Sequence, residues 1–217
     1  MAAAARRRKP SLNARDRGPS RVSCDSRLRI LRDLGYTPGI ATELGHMCVA
    51  WSALEWRLFC LFTIMSDTPV AVARATFYSH HATSQRAAMV QATAGMALRG
   101  SVECDAALAD LDALLRKIGR TGKKRNAYIH DLWAMEPGKP ETVSQFQLSG
   151  TGIHGTGKRV TKRDISQLTD QIDEWTAQLR IFYDRIVPLL PASLGKLDRT
   201  RSLTLVFAPT NRPRGAD

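Results

Sequence analysis

Three residues in one short stretch could carry chemistry: Arg125, Asn126 and His130, within Arg125-Asn126-Ala127-Tyr128-Ile129-His130. Arginine is a permanent cation with a fork of donors. Histidine can take and give a proton near neutrality. Asn126 and His130 are four residues apart, so on a helix they are neighbours on one face. This set of groups suits an anionic phosphodiester better than it suits an apolar core.

The element that must position them is a long helix beginning near Glu103 or Asp105 and running to about Leu132. Its apolar stripe is Leu108, Leu111, Leu115, Ile118 and Ile129. On a helical wheel Arg125 falls within roughly 40° of the centre of that stripe. Asn126 lies on one edge and His130 just beyond it. A guanidinium aimed at an apolar seam needs a partner or a polar cleft. One reading is structural: Arg125 pairs with Glu55 of an earlier helix, and His130 meets the last helical carbonyls. Gly119 and Gly122 weaken the middle of this helix. Lys123 and Lys124 extend a basic surface for phosphates, and Tyr128 offers a ring for stacking on a base. Asp131 follows the histidine, but adjacent helical positions point about 100° apart.

Around this helix the pattern is mainly α. Thr37-Pro38 opens a first helix to about Met65, with Val49 or Trp51, Leu54, Leu58, Leu61 or Phe62, and Met65 at steps of three and four. Glu55 falls on or beside that stripe and wants a partner. Ser66-Asp67-Thr68-Pro69 separates it from a short helix, Val70 to Tyr78, carrying Val72, Ala75 and Phe77. A third helix spans about Ser84 to Leu98 with Met89, Ala92 and Met96, and Gly100-Ser101 breaks it. His80 and His81 precede it as a solvated loop, with no third metal ligand at helical spacing. After Trp133 come the turn Glu136-Pro137-Gly138-Lys139-Pro140 and an alternating run, Thr142 to Leu148. A small hairpin follows from this, with Lys158 to Lys162 as a third strand. Asp164 caps the last helix, to about Val187, striped by Ile165, Leu168, Ile172, Trp175, Leu179, Phe182 and Ile186. The expected architecture is a bundle of four to five helices. A small β-hairpin insertion, about 133–162, stands before the last long helix.

Gly150-Thr151-Gly152-Ile153-His154-Gly155 fits G-x-G-x-x-G, and Gly152 to Lys158 fits G-x-x-x-x-G-K. Arg159 stands where a nucleotide-binding loop needs Ser or Thr, and no parallel βαβ pattern surrounds it. A hairpin loop is the better reading, from which His154, Lys158 and Arg159 can reach a nucleic acid.

The 217 residues allow one domain with a sizeable core plus tails, and 43% apolar content is ordinary for a globular chain. The net charge of +12 is not ordinary and favours acidic partners, nucleic acid first. Residues 1–33 hold ten basic and three acidic side chains, a net +7 of that charge. The segment 1–34 reads as a basic, mostly disordered arm, 35–192 as the helical domain, and 193–217 as a tail with a strand at 202–207. Cys24, Cys48, Cys60 and Cys104 form no CxxC pair and read as buried reduced thiols, which fits a cytoplasmic protein. No apolar run reaches the length of a membrane span, no secretory signal is seen, and neither a membrane nor a metal or other cofactor is expected.

The segment Arg125-Asn126…His130 resembles the Arg-Asn-x-x-x-His motif of the HEPN superfamily, helical-bundle proteins many of which are ribonucleases. Trp51-Ser52-Ala53-Leu54-Glu55 is similar to the first-helix pattern of such proteins. The helix order also matches, and the resemblance covers about Pro38 to Leu190. The β insertion and the basic arm depart from the general pattern. The resemblance implies metal-independent RNA cleavage. In it His130 acts as base or acid on the 2′-hydroxyl, Arg125 stabilises charge on the phosphate, and Asn126 holds phosphate or orients His130. It also implies a homodimer with two facing motifs, and a toxin or defence setting with an antitoxin or regulatory protein as a further partner. Some members serve instead as non-catalytic RNA-binding or protein-interaction modules.

Overall fold

The computed structural model describes residues 38–136, 139–149 and 152–190. The basic arm, the tail with its expected strand at 202–207, and Cys24 lie outside the described residues. Within them the chain is mainly helical with a small antiparallel sheet. The order is α1 (Pro38–Ser66), α2 (Val70–Ser79), α3 (Thr83–Ala97), α4 (Val102–His130), β1 (Leu132–Glu136), β2 (Lys139–Ser149), β3 (Gly152–Thr161) and α5 (Lys162–Ile186). A 3-10 turn, Val187–Leu189, follows α5.

The four long helices close into a ring. α1 packs on α5 and α3, and α4 packs on the same two, while the short α2 rests on α1 and α3. Trp51, Leu54, Leu58, Leu61, Phe62 and Met65 of α1 are buried, whereas Val49 is 69% exposed. Trp51 therefore begins the stripe that spacing left open between the two. By length and composition α1 is apolar enough to cross a membrane between Gly39 and Ser66, which corrects the expectation that no run reaches that length. Most of that stretch is buried in the fold. All four other helices touch α1, so it needs apolar residues on more than one face.

Two of the expected stripes are out of phase. In α2 the buried residues are Ala73 and Phe77, while Val72 and Ala75 face outward. In α3 they are Arg86, Val90 and Ala94, not Met89, Ala92 and Met96. An arginine occupies the inward position there, which hides the true period from a count of apolar residues. α4 buries Leu111, Leu115 and Ile118 as its stripe requires, with Leu108 half-buried. It starts at a Ser101 cap, whose hydroxyl accepts from the Cys104 amide at 3.2 Å. It ends at His130, so Leu132 begins β1 rather than extending the helix.

The insertion is a three-stranded sheet, ordered β1-β2-β3, inserted between α4 and α5. Trp133, Val143 and Val160 are buried, and Val143 lies opposite Val160. The register between β2 and β3 shifts at Gln145/Gln147. The Phe146 ring there lies over Gly157, where a Cβ would come within 2.5 Å of it, so a larger residue would have to displace the ring. Gly152 to Lys158, expected as a hairpin loop before a third strand at Lys158 to Lys162, instead lies within β3, an antiparallel strand and not a phosphate loop, and Lys162 already opens α5. Of the thiols, Cys60 and Cys104 are buried and Cys48 half-buried. Burial pushes the Cys60 thiol up to about 12.

The stripe of α5 is buried throughout, from Ile165 to Ile186. Its cap corrects the expectation. Thr161 is the N-cap, and Asp164 is three residues on, completing a capping box. The Asp164 carboxylate accepts from the Thr161 hydroxyl at 2.7 Å and from the Thr161 amide at 2.8 Å. These bonds, the hydroxyl's first, hold the Asp164 carboxyl below the usual range. A depressed folded value means the stabilisation is present above the unfolded pKa and is lost as pH falls through the folded one. Asp164→Ala is expected to lower stability by about 1 kcal/mol near neutral pH. In urea melts run from neutral pH downward, its deficit relative to wild type should shrink in acid.

Candidate functional site

The last turns of α4, the first turns of α5 and the inner side of the sheet enclose a groove of about 960 Å³. Asn126 and His130 both line it, one helical turn apart, as their spacing requires. Lys124, Tyr128 and Lys158 line it as well. Three expected site residues do not. Lys123 and Arg159 are exposed outside the groove, and Arg125 points elsewhere.

Arg125 is half-buried over the indole of Trp51, its guanidinium carbon 5.8 Å from the ring centre. Its Nη1 donates to Asn126 Oδ1 at 3.1 Å, while its buried Nε has no hydrogen-bond partner. Trp51 in turn presses against Gly122, one turn before Arg125. A Cβ on Gly122 would stand 2.9 Å from the indole. The glycine expected to weaken α4 is thus the notch that seats Trp51.

Glu55 is not the partner of Arg125. It pairs with Arg86 at 2.9 Å and accepts from the Thr83 hydroxyl at 2.8 Å. Arg86 Nε also donates to the His80 carbonyl at 2.9 Å, and its guanidinium lies 5.0 Å from the Tyr78 ring centre. Glu55 falls on the side of α1 that meets α3, whereas Trp51, one turn earlier, meets α4. The inward arginine that disturbed the α3 stripe is what supplies the partner.

His130 is exposed at the groove wall. Asp131 caps the helix instead, donating its amide to the Ala127 carbonyl at 3.0 Å, so the histidine is not the cap. Tyr128 is half-buried, its ring 5.8 Å from Trp133, and the Trp133 indole N–H donates to the Tyr128 carbonyl at 3.0 Å. Burial, then the charge of Asp164, raises the Tyr128 hydroxyl above its ordinary value. It stays a neutral phenol at working pH.

Several groove residues were not expected at a site: Gln145, Gln147, Gln167 and Gln171, together with Asp131 and Asp164, which were read only as the neighbour of His130 and as a helix cap. Gln145 had a signal. It is buried on the same face of β2 as Val143, and an amide in an apolar register needs a partner. That partner is Asp131, which accepts from Gln145 Nε2 at 2.9 Å. Gln171 is held by α4: the Trp175 indole N–H donates to the Thr121 hydroxyl at 3.0 Å, which donates to Gln171 Oε1 at 3.2 Å. Among the described residues no three His, Cys, Asp or Glu side chains gather as a metal site.

No family model matches the chain, and neither does a curated protein or a solved structure.

Two measurements check this arrangement. In double-mutant cycles of unfolding free energy, Glu55→Gln should couple to Arg86→Leu by about 1 to 3 kcal/mol, and to Arg125→Leu by less than about 0.5. Gly122→Ala should destabilise by about 1 to 2 kcal/mol net, because overpacking against Trp51 outweighs the helix propensity of about 1 kcal/mol that alanine gains. An unchanged or raised melting temperature would contradict the notch.

Proposed function

We propose that the chain is a HEPN-like, metal-independent endoribonuclease that works as a homodimer. The observation that carries this reading is that Asn126 and His130 share one wall of the polar groove, with Arg125 bonded to Asn126. The proposed reaction is transfer of the phosphoryl group from the 5′ oxygen to the neighbouring 2′ oxygen. The 2′-hydroxyl attacks phosphorus, the P–O2′ bond forms and the P–O5′ bond breaks. The products are a 2′,3′-cyclic phosphate and a 5′-hydroxyl. His130 takes the 2′ proton or returns one to the leaving oxygen, and the cationic Arg125 offsets charge on the phosphate oxygens. Asn126 holds phosphate and ties Arg125 to the groove wall.

One imidazole cannot hold both protonation states at once. The facing motif of a second copy supplies the other proton carrier in this scheme. An excess of basic residues favours an RNA partner, and no membrane partner is proposed. A toxin or defence role, with an antitoxin or regulatory protein, follows from the motif resemblance alone.

One observation favours a second reading, a non-catalytic RNA-binding or protein-interaction module. Arg125 rests on Trp51 and does not line the groove. An arginine kept there can serve packing alone.

The deciding experiment is RNA cleavage in EDTA by wild type and His130→Ala, with product ends mapped and melting temperatures compared. His130 is exposed, so the variant should fold normally. The ribonuclease reading expects cyclic phosphate ends from wild type and a loss of at least about 100-fold in the variant. Equal cleavage by both, or binding without cleavage in both, would overturn it.

A further inference from the structure

From the two internally tethered glutamines of the groove, we infer that it holds one unpaired base of an RNA strand by the base's hydrogen-bonding edge. This rests on the RNA reading above and names what the same groove recognises.

Each amide has one end already committed. Asp131 has only acceptor oxygens when ionised, so the Gln145 atom bonded to it is the NH₂ nitrogen. What Gln145 then turns away from Asp131 is its acceptor, Oε1, with the second hydrogen of the NH₂ beside it. The Trp175 indole N–H can only donate, and the Thr121 hydroxyl that receives it passes its own hydrogen to Gln171 Oε1. What Gln171 has left to offer is its NH₂ donor. An amide in water turns freely and presents either end. These two cannot turn without breaking a partly or wholly buried bond, so the groove carries a preset pair of one acceptor and one donor.

A phosphate has acceptors only and would meet Gln145 Oε1 unfavourably, as it would the Asp131 and Asp164 carboxylates on the same walls. A base edge has a donor beside an acceptor in all four RNA bases, and it is free only when the base is unpaired. The groove's 960 Å³ is at the upper end of the range of about 300 to 1,000 Å³ for small-molecule pockets, room for a nucleotide. Lys124 on α4 and Lys158 on β3 supply cations for the phosphates on either side. Gln147 and Gln167 are exposed on the groove and can turn to suit different bases. The site therefore selects single strands over duplexes more sharply than one base over another.

The test reads binding apart from cleavage. A mixed-sequence 2′-O-methyl RNA 12-mer has no free 2′-hydroxyl to react. Its affinity for the full chain is compared, by fluorescence anisotropy, with that of its duplex and of an abasic strand of equal length and charge. Wild type should bind the single strand about tenfold more tightly than either control, the scale of one hydrogen-bonded edge. Gln171→Glu keeps an oxygen for Thr121 but replaces the donor, and Gln171→Met removes the donor without adding charge. In each variant that folds, the ratio of intact to abasic strand should fall to about threefold or less. Measuring the ratio cancels a general loss of phosphate attraction. A wild-type ratio near one, a ratio unchanged in the variants, or no binding of any probe would overturn the inference. A base preference abolished by the variants, in a protein that cleaves no RNA, would uphold the groove and sink the enzyme.

Discussion

The contact of Trp51 with Gly122 sets the rotation of α4, and the site depends on that rotation. The indole is fully inside, and it presses on the helix backbone where any side chain would intrude. A helix that must turn one glycine toward one tryptophan has no freedom to roll. Arg125, one turn further on, then lands over the same ring, and Asn126 and His130 are carried round to the groove. The arginine is thereby half structural. Stacking and partial burial lower the entropy of its long side chain, and the bond to Asn126 ties its charge to the groove wall.

A second tether works from α5. The run from the Trp175 indole through Thr121 to Gln171 joins α5 to α4 inside the bundle, and Gln145 with Asp131 joins the sheet to the end of α4. Polar groups in a low-dielectric interior are costly unless bonded, and bonded ones hold a geometry well. The groove walls are thus fixed by the same bonds that orient the groups they present. The acidic groups on the walls are spent in those bonds, Asp131 on Gln145 and Asp164 on the cap of α5. The groove surface then combines these two carboxylates with amides, one phenol, one imidazole and two lysines.

The misread stripes of α2 and α3 share a cause. Both helices are rich in alanine, so apolarity hardly varies around them, and a small error in phase goes unnoticed. In α3 the decisive inward residue is Arg86, which pairs with Glu55 and lies beside the Tyr78 ring. A charged residue on the buried side cannot be told from a surface one until its partner is known. The expected Glu55–Arg125 pair failed for the same reason. Both residues were rightly seen to need a partner, but each found it on a different neighbour.

What the sequence determined by itself was whatever depends on local spacing. The lengths of α1, α4 and α5, the seven-residue stripe of α5, the proline start of α1 and the pairing of Asn126 with His130 on one face all follow from a period of 3.6. Alternation in β2 and the glycines near 150–157 likewise announced a hairpin. What only the tertiary structure decided was which helices meet and which ends of polar side chains remain free. Gly122 read as a weakness until Trp51 was seen in it, and the glutamines carried no site reading until their partners were placed. Those outcomes are set by contacts between residues 14 to 71 positions apart. No period along the chain encodes them, because they arise from the packing of one helix face against another.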